Sequence, residues 1–300
     1  MVREHVETFL SPDKGRGLRC KKNGPPIKAG TLIIEEEPYC FTLLEGQEEE
    51  RCHYCLEEQS PELLLTCPKC GIAKYCDEDC QKAAHREHLS ECGGYRRLMK
   101  LPFHLRLLAR ILYRQSTRKY EQGALGPLCD LCPHTEELKD SSELKIQLEK
   151  LSRFVNEDIL PDRAQLESLY GKTTCNCFAI HNLDLREIGV GLYPQAAMIN
   201  HSCKSNCVST FRGPTLQIRA LVDIQPGEEV CYSYTEKGNV THERRDELRK
   251  YFFECQCPHC LDIDRDATMK SVKCPSCQGQ VKPTGSKSLT IRYYTCNVIS

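Results

Sequence analysis

The chain has 300 residues and a net charge of −1, which is enough length for two or three compact units that bury a core. Its near-neutral charge provides no overall field for nucleic acid or a membrane surface, and no apolar run is long enough to span a bilayer. The amino end, Met1-Val-Arg-Glu-His, carries charges where a signal peptide needs an apolar run, so secretion is not expected.

Residues 1–51 combine turn chemistry with a β-rich run. Gly15-Arg16-Gly17 and Gly24-Pro25-Pro26 are typical of turns, and Thr31–Ile34 is typical of a strand. These residues are predicted to form a short strand-and-turn unit.

The sequence pattern predicts helices from Gly93 to about Tyr170, after the cysteine-dense segment that ends at Cys92. Apolar residues recur there at steps of three and four, which predicts one buried helix face. They are Leu144, Leu148, Leu151, Val155 and Ile159. Strands return after Gly171, and an alternating run predicts a half-buried strand. Its buried positions are Leu216, Ile218, Ala220 and Val222.

The sequence contains 22 cysteines, which in a reducing compartment indicate zinc ligands where they cluster. Cys20, Cys40 and Cys231 stand alone and fit buried thiols that pack as small hydrophobic groups. Four pairs of ligands are spaced by two or three residues. They are Cys52 with Cys55, Cys67 with Cys70, Cys76 with Cys80, and His88 with Cys92.

These spacings predict two closed zinc sites. A two-residue gap lets both sulfurs reach one ion at about 2.3 Å, and a three-residue gap predicts two ligands on one helix face. Eight ligands leave no open coordination position, so both ions would be structural and would supply much of the folding free energy of the segment. His85 competes with His88, but only His88 stands four residues before Cys92.

A second cluster has three cysteines in six residues, Cys255, Cys257 and Cys260, which leaves a zinc ion one ligand short. Cys203, Cys207 or His259 could complete the site. Cys274 and Cys277, together with Cys296, could form half of a further site near the carboxyl end.

The cysteine-dense segment from Cys52 to Cys92 contains Ala73-Lys74-Tyr75-Cys76 and Cys80-Gln81-Lys82. It resembles the MYND zinc finger and is called the finger below. That resemblance implies an interleaved pairing and a surface that binds proline-rich peptides. One ion would take Cys52, Cys55, Cys76 and Cys80, and the other would take Cys67, Cys70, His88 and Cys92.

Three motifs in the second half of the chain resemble the SET domain of protein lysine methyltransferases. They are Asn200-His201-Ser202-Cys203, the downstream Gly227-Glu228-Glu229 with Tyr234, and the second cysteine cluster. A MYND finger inserted in a split SET domain is the arrangement of the SMYD family, and Lys14–Leu18 matches that family's amino-terminal cofactor strand. The resemblance runs from about residue 5 to residue 266. It implies an α+β fold, in which a β-rich SET fold is divided by the finger and a helical insert.

The resemblance also implies how the chain divides into segments and how it compares with the domain content usual in the family. Its segments are the amino-terminal SET part (1–51), the finger (52–92), the helical insert (93–175), the core SET part (176–250), a zinc-binding post-SET segment (251–270) and a tail (271–300). The tail is expected to be the start of something cut short, without most of the helical carboxyl-terminal domain usual in the family.

Roles for individual residues follow from the same resemblance. The cofactor S-adenosylmethionine would be held by Lys14, Gly15, Arg16, His134, Asn176, Asn200, His201, Tyr234, Tyr251 and Phe253. Cys203 would be the fourth ligand beside Cys255, Cys257 and Cys260, which raises the expected number of zinc ions to three.

Tyr234 is the candidate for the reaction centre. Methyl transfer from a sulfonium to an amine is an in-line displacement that needs an aligned, neutral lysine nitrogen and a site that excludes water. A tyrosine hydroxyl can orient these groups without covalent chemistry. The alternative is that Tyr234 packs in the core. If Tyr234 is catalytic, Tyr232, two residues earlier on the same strand face, takes the packing role.

A basic stretch without acidic residues lies between Glu91 and Glu121. It includes arginines that step by four residues and would form one stripe on a helix. They are Arg106, Arg110, Arg114 and Arg118. The stripe is either an ordinary solvated face or a docking site for DNA or an acidic protein, whose binding would weaken steeply with salt.

The leading hypothesis is a methyltransferase that acts on lysines of histone or non-histone proteins, in the cytoplasm and nucleus. The alternative is a catalytically silent adaptor that recruits proline-rich partners in transcriptional regulation. A Cys-His hydrolase is a third reading, but no cysteine stands in a recognisable nucleophile context.

Overall fold

The computed structural model describes residues 4–118, 128, 130–138, 142–275, 277–284 and 293–295. Contacts divide the chain into two compact units. Unit 1 consists of Met1–Asn200 and Asn206–Val230, and unit 2 consists of His201–Ser205 and Cys231–Ser300. The six segments predicted from the sequence have other limits than these two units, because the units are defined by contacts in the folded chain. The segment limits stay predictions.

Strands and helices alternate in groups along the chain, which makes the fold α+β. The strands are β1 (Val6–Ser11), β2 (Gly15–Cys20), β3 (Leu32–Glu36), β4 (Cys40–Leu43), β5 (Leu65–Thr66), β6 (Lys74–Tyr75), β7 (Cys177–His181), β8 (Glu187–Leu192), β9 (Asn200–His201), β10 (Cys207–Arg212), β11 (Thr215–Ala220), β12 (Glu229–Tyr232), β13 (Val272–Lys273), β14 (Gln280–Thr284) and β15 (Tyr293–Thr295). The helices are α1 (Glu78–Arg97), α2 (Phe103–Arg118), α3 (Thr135–Leu138), α4 (Ser142–Phe154), α5 (Arg163–Asn176), α6 (Thr241–Leu248), α7 (Pro258–Leu261) and α8 (Ile263–Met269).

Three small antiparallel sheets and the two-stranded β5-β6 hairpin organise the described part of unit 1. β1 and β2 form a hairpin, and β12 joins β2 where Glu229 and Val230 pair with Arg19 and Leu18. The other two sheets have the strand orders β10-β11-β3 and β4-β8-β7. The predicted alternation is present in β11, which buries Leu216, Ile218 and Ala220. Val222 lies beyond this strand and is exposed, so its predicted burial is wrong.

The largest core of unit 1 forms where α1, α2, α4 and α5 pack together. The α4 helix contributes Leu144, Leu148 and Leu151, as the spacing predicted. It ends at Phe154, so the predicted helical face is too long at Val155 and Ile159, and Ile159 lies in a separate 3-10 turn. Within the described ranges, no helix is long and apolar enough to cross a membrane.

The arginine stripe of α2 differs from the prediction because much of it faces the protein interior. Arg106 and Arg110 are nearly buried, whereas the side chain of Arg118 lies outside the described residues. The arginines donate hydrogen bonds to carbonyls of every second residue along the edge strand β4 and just before it. The pairs are Arg106 with Leu43, Arg110 with Phe41 and Arg114 with Tyr39.

These hydrogen bonds satisfy both the carbonyl groups of the edge strand and the donors of the buried arginines. An edge strand has carbonyls that no neighbouring strand can pair, and a buried guanidinium needs acceptors for its donors. Carboxylates complete the compensation of charge, because Arg110 pairs with Glu91 and Arg106 with Glu48. Neither the solvated-face interpretation nor the docking interpretation therefore applies to Arg106 and Arg110.

We expect the Arg110→Ala variant to lose about 3–5 kcal/mol of unfolding free energy, because it leaves the carboxylate of Glu91 buried without its partner. Urea unfolding followed by circular dichroism measures this loss. Arg153→Ala is the matched control, since its ion pair with Glu149 is exposed and should contribute less than about 1 kcal/mol. Equal losses in the two variants would contradict the buried-pair interpretation.

Unit 2 is built around a short helical segment. The carboxylate of Asp266 on α8 accepts hydrogen bonds from the backbone N–H and the hydroxyl of Thr241, at 3.0 and 2.9 Å. The first backbone N–H groups of a helix have no partner within the helix, so this contact caps α6 and ties α8 to it. The core of the unit gathers Leu248 with Cys203, Cys255 and Cys260.

Candidate metal centres and active site

Eight side chains of the finger segment converge in two groups of four, and the ligand atoms of each group lie within 4.8 Å of one another. One group is Cys52, Cys55, Cys76 and Cys80, and the other is Cys67, Cys70, His88 and Cys92. The Sγ atoms of Cys55 and Cys76 are 3.5 Å apart. Zinc–sulfur bonds of about 2.3 Å in a tetrahedron would place sulfurs about 3.8 Å apart. Each group could therefore hold a zinc ion, in the interleaved pairing that the resemblance implied.

Local structure brings these ligands into position. Helix α1 begins at Glu78, and the Asp77 side chain caps it by accepting a hydrogen bond from the Cys80 backbone N–H at 2.8 Å. His88 and Cys92 lie one turn apart on the same helix. Cys76 precedes the helix, so the prediction that it shares a helix face with Cys80 is wrong. The turn that joins β6 to α1 brings these two sulfurs together instead.

The choice between the two histidines follows from their environments. His88 Nε2 lies 3.7 Å from Cys70 Sγ, whereas His85, one turn earlier on the same helix, is exposed. Burial lowers the pKa of His88 to about 4, which keeps its imidazole neutral at physiological pH. A neutral imidazole is the form that binds a metal ion.

A third group of four cysteines lies in unit 2 and consists of Cys203, Cys255, Cys257 and Cys260. Cys203 Sγ is 3.9 Å from Cys255 Sγ and 3.5 Å from Cys260 Sγ. These separations also fit a tetrahedral zinc ion. Of the three candidates for the fourth ligand, the group contains Cys203 and neither Cys207 nor His259.

Arg244 provides an independent test of whether this group fits a metal ion. Its side chain is completely buried, and its Nη2 atom donates to Cys260 Sγ at 3.5 Å and to Thr241 Oγ1 at 2.9 Å. No carboxylate pairs with it in the part of the chain that the structure describes. A buried guanidinium requires a compensating anion. Four thiolates around a zinc ion carry a net charge of −2 and supply that anion, whereas four neutral thiols would not.

In unit 1, residues that are distant in sequence meet at the Glu229 carboxylate. Its Oε2 atom accepts a hydrogen bond from Lys14 Nζ at 2.7 Å, and its Oε1 atom accepts one from Asn200 Nδ2 at 2.9 Å. Gly17 lies against the same cluster, and a Cβ atom there would be 2.6 Å from Asn200 Nδ2. Gly15, at the start of β2, has a φ of +71°, which favours glycine.

A second cluster in unit 1 contains three more of the predicted cofactor residues. Arg16 forms an ion pair with Asp130 at 2.8 Å. The Asn176 side-chain amide donates to the carbonyl oxygen of Cys132 at 3.2 Å, which ties the end of α5 to the same loop. His134 also belongs to this loop and contacts Glu137 at 3.3 Å. The loop of residues 130–134 thus contacts both Arg16 and Asn176, and it contains His134.

In unit 2, four aromatic rings surround the ring of Tyr234. The ring centroids of His201, Tyr232 and Tyr251 lie 5.2, 5.0 and 5.1 Å from that of Tyr234, and the Phe253 centroid lies at 6.4 Å. Tyr234 follows the end of β12 rather than lying on it, so the prediction that it shares a strand face with Tyr232 is wrong. Phe253 remains 38% exposed, which leaves an aromatic surface open to a ligand.

His201 is 4% exposed in this cluster, and both nitrogens of its ring are engaged. Nδ1 accepts a hydrogen bond from the Tyr234 backbone N–H at 3.0 Å, and Nε2 lies 3.2 Å from Cys203 Sγ. A contact between His201 and a cofactor would therefore use its backbone or the face of its ring.

The candidate site residues chosen from the sequence omitted Gly17, Glu229 and Arg244. Gly17 and Glu229 stand within two of the motifs that carry the SET resemblance. Their place in those motifs is the sequence signal that could have identified them as site residues. Arg244 has no comparable signal, because nothing in the surrounding Thr-His-Glu-Arg-Arg-Asp distinguishes it from its exposed neighbours.

Comparisons with known proteins agree with this arrangement. The SET domain family matches residues 15–235. Histone-lysine N-methyltransferase SMYD3 of Mus musculus is 36% identical over 88% of this chain and 63% of its own length. N-lysine methyltransferase SMYD2 of Homo sapiens is 31% identical over 89% of this chain and 63% of its own length. The chain thus spans somewhat less than two thirds of these relatives.

Among solved structures, the SET domain of LSMT bound to lysine and AdoHcy aligns with 85% of this chain and 54% of its own, at 16% identity and a TM-score of 0.48. A likeness at that level is too distant to support a functional argument.

Proposed function

Because the chain belongs to the SET domain family and, within it, to the SMYD family, we propose that it is an S-adenosylmethionine-dependent protein-lysine N-methyltransferase. The observation that carries this proposal is the meeting of Lys14 and Asn200 on Glu229, which joins two motifs separated by the whole finger and helical insert. The substrates would be lysines of histone or non-histone proteins.

The side chains available for the cofactor fit its chemistry. Lys14 and Arg16 are cationic and partly exposed, and Asn176 and Asn200 supply amide groups, which together suit a ligand that has a carboxylate and an amino group. The exposed ring of Phe253 suits a purine base. When bound, S-adenosylmethionine supplies a methyl group on a sulfonium sulfur.

The chain's own residues would contribute position rather than covalent chemistry. The aromatic rings around Tyr234 exclude water, and the Tyr234 hydroxyl can accept or donate a hydrogen bond that orients the lysine amine. Alignment of two reactants can lower a barrier by about 7–11 kcal/mol. The lysine amine must be neutral when it reacts, and the proton it releases passes to solvent.

A transfer assay tests this proposal. The zinc-loaded chain is incubated with radiolabelled S-adenosylmethionine and an array of lysine-containing peptides and proteins, and cofactor binding is measured separately by calorimetry. We expect cofactor binding and label on a subset of substrates. Cofactor binding without label on any substrate would favour the silent adaptor, and the absence of both would refute the enzyme.

We expect Gly17→Ala to weaken S-adenosylmethionine binding about 10- to 100-fold. The added methyl group would push the Asn200 amide from its place, and overpacking of this kind costs about 1–3 kcal/mol. Calorimetric titration measures the change. Gly93→Ala is the control, because a methyl group there meets nothing closer than 3.7 Å; equal affinities of the two variants would contradict the close-approach argument.

We propose further that the finger binds proline-rich peptides. Grooves that bind such peptides are lined by aromatic and apolar side chains. Tyr54, Leu63 and Leu65 of the finger are 42%, 64% and 41% exposed and offer such a surface. Titration of a proline-rich peptide against the chain and its Tyr54→Ala variant tests this proposal, which fails if the peptide does not bind or if both bind it equally.

A DNA contact is the weaker partner proposal, because Arg106 and Arg110 are buried, while Arg96 and Lys100 are among the described basic residues that are exposed. Binding that lacks a salt dependence would remove it. We also propose that the protein is both cytoplasmic and nuclear, which cell fractionation tests.

A further inference from the structure

The His201 ring lies between two features of unit 2 that have different roles. On one side its Nε2 atom is 3.2 Å from Cys203 Sγ, in the group that could hold the third zinc ion. On the other side its Nδ1 atom is 3.0 Å from the backbone nitrogen of Tyr234, the candidate for the reaction centre. One imidazole therefore spans the distance between the metal site and the catalytic candidate.

The second contact determines the tautomer of the ring. A backbone N–H can only donate, so Nδ1 must be the acceptor and carry no proton. In a neutral imidazole the proton is then on Nε2, which donates to the Cys203 sulfur. The acceptor is a strong one if that sulfur is a zinc-bound thiolate, because hydrogen bonds to charged acceptors are about twice as strong as neutral ones.

The surroundings hold the ring in this orientation. The ring of Tyr234 packs edge-on against it at 5.2 Å, and the Phe253 ring packs at 5.8 Å. The next residue, Ser202, donates its backbone N–H to the Tyr232 carbonyl at 3.1 Å. The backbone that carries Cys203 and the backbone that carries Tyr234 are thus joined by both a main-chain and a side-chain hydrogen bond.

We propose that His201 is a positioning residue that couples the zinc site of Cys203, Cys255, Cys257 and Cys260 to the backbone of Tyr234. The ring stabilises one thiolate and, through its other nitrogen, holds the peptide group that places the Tyr234 phenol. The catalytic meaning of this coupling rests on the proposed function, whereas the coupling itself does not.

Two substitutions separate the two hydrogen bonds. The terminal atoms of asparagine reach the depth of Nδ1, so His201→Asn can keep an acceptor for the Tyr234 N–H but loses the donor to Cys203. The terminal atoms of glutamine reach the depth of Nε2, so His201→Gln can keep the donor but loses the acceptor. A residue that only fills space would respond to both substitutions in the same way.

Two measurements by mass spectrometry report the two ends directly. The alkylation rate of each cysteine follows the protection that zinc provides, and the deuterium exchange of peptides that contain Tyr234 follows its backbone N–H. The finger cysteines provide an internal standard in the same sample. Both measurements are made on the zinc-loaded full chain and need no substrate.

We expect His201→Asn to speed alkylation of Cys203 and its three partners about 10-fold, as the loss of an outer contact to a metal ligand does, with near wild-type exchange at Tyr234. We expect His201→Gln to speed exchange at Tyr234 about 5-fold, with near wild-type alkylation. Equal responses of the two variants at both ends, or no response at either, would overturn the proposal. If the wild-type chain transfers no methyl group, these readouts still decide the coupling, because neither depends on turnover.

Discussion

Replacement of Tyr234 by phenylalanine is expected to lower kcat for methyl transfer about 100- to 1000-fold, the usual effect of removing one well-placed polar group from an active site. The ring that packs against His201, Tyr232 and Tyr251 is retained, so the fold and the Kd for S-adenosylmethionine should stay close to wild type. Initial rates with radiolabelled cofactor, together with calorimetric titration, measure the two effects separately.

Tyr232→Phe is the matched control for this substitution. Its ring lies 5.0 Å from that of Tyr234 in the same aromatic cluster, and the same single oxygen atom is removed. We expect it to retain kcat within about 10-fold, because the packing role needs the ring alone. A loss in Tyr232→Phe as large as that in Tyr234→Phe would mean that the two hydroxyls contribute alike, and Tyr234 would lose its assignment as the reaction centre.

Replacement of His88 by alanine is expected to reduce the zinc content from three ions per chain to about two and to unfold much of the finger. The structure groups His88 with Cys67, Cys70 and Cys92, so the substitution leaves a site of three ligands. Structural zinc sites in finger peptides contribute about 10–16 kcal/mol of binding free energy, which is largely folding free energy for so small a segment. Metal analysis and hydrogen exchange over residues 52–92 measure the result.

His85→Ala controls for the loss of an imidazole from the same helix. His85 is exposed and belongs to none of the three ligand groups, so we expect three zinc ions and unchanged exchange. If His85→Ala loses zinc and His88→Ala does not, the assignment of the ligand is reversed. Methyl transfer should be affected less by His88→Ala than by Tyr234→Phe, because no residue of the finger is among the candidate catalytic or cofactor-binding residues.

The ligand spacings were readable from the sequence because a metal site in a turn or on a helix depends on residues that are close neighbours. Cys52 with Cys55 and His88 with Cys92 are set by two- and three-residue gaps, and the structure keeps both pairs. The grouping of pairs into sites is a long-range property. Spacing left it open, the family resemblance implied it, and the packing of α1 against the β5–β6 hairpin brings the pairs together.

The arginines of α2 show the limit of pattern reading. The four-residue step correctly predicts a helix, since it is close to the 3.6-residue period of the α-helix, yet it does not determine which environment the charged face meets. Burial was decided by the edge strand β4, whose unpaired carbonyls accept from Arg106 and Arg110, and by Glu91. Those acceptors come from residues far away in the chain, so no local pattern contains them.

The sequence by itself indicated the family, most of the candidate zinc ligands and the candidate catalytic tyrosine, because each depends on short motifs whose residue types limit their chemistry. Only the tertiary structure decided how these parts act on one another. Gly17 is needed where the side chain of Asn200 approaches it, and Arg244 is buried where four cysteines come together. His201 likewise joins Cys203 to the backbone of Tyr234. Such roles arise from distances between residues that are remote in sequence, and those distances exist only in the folded chain.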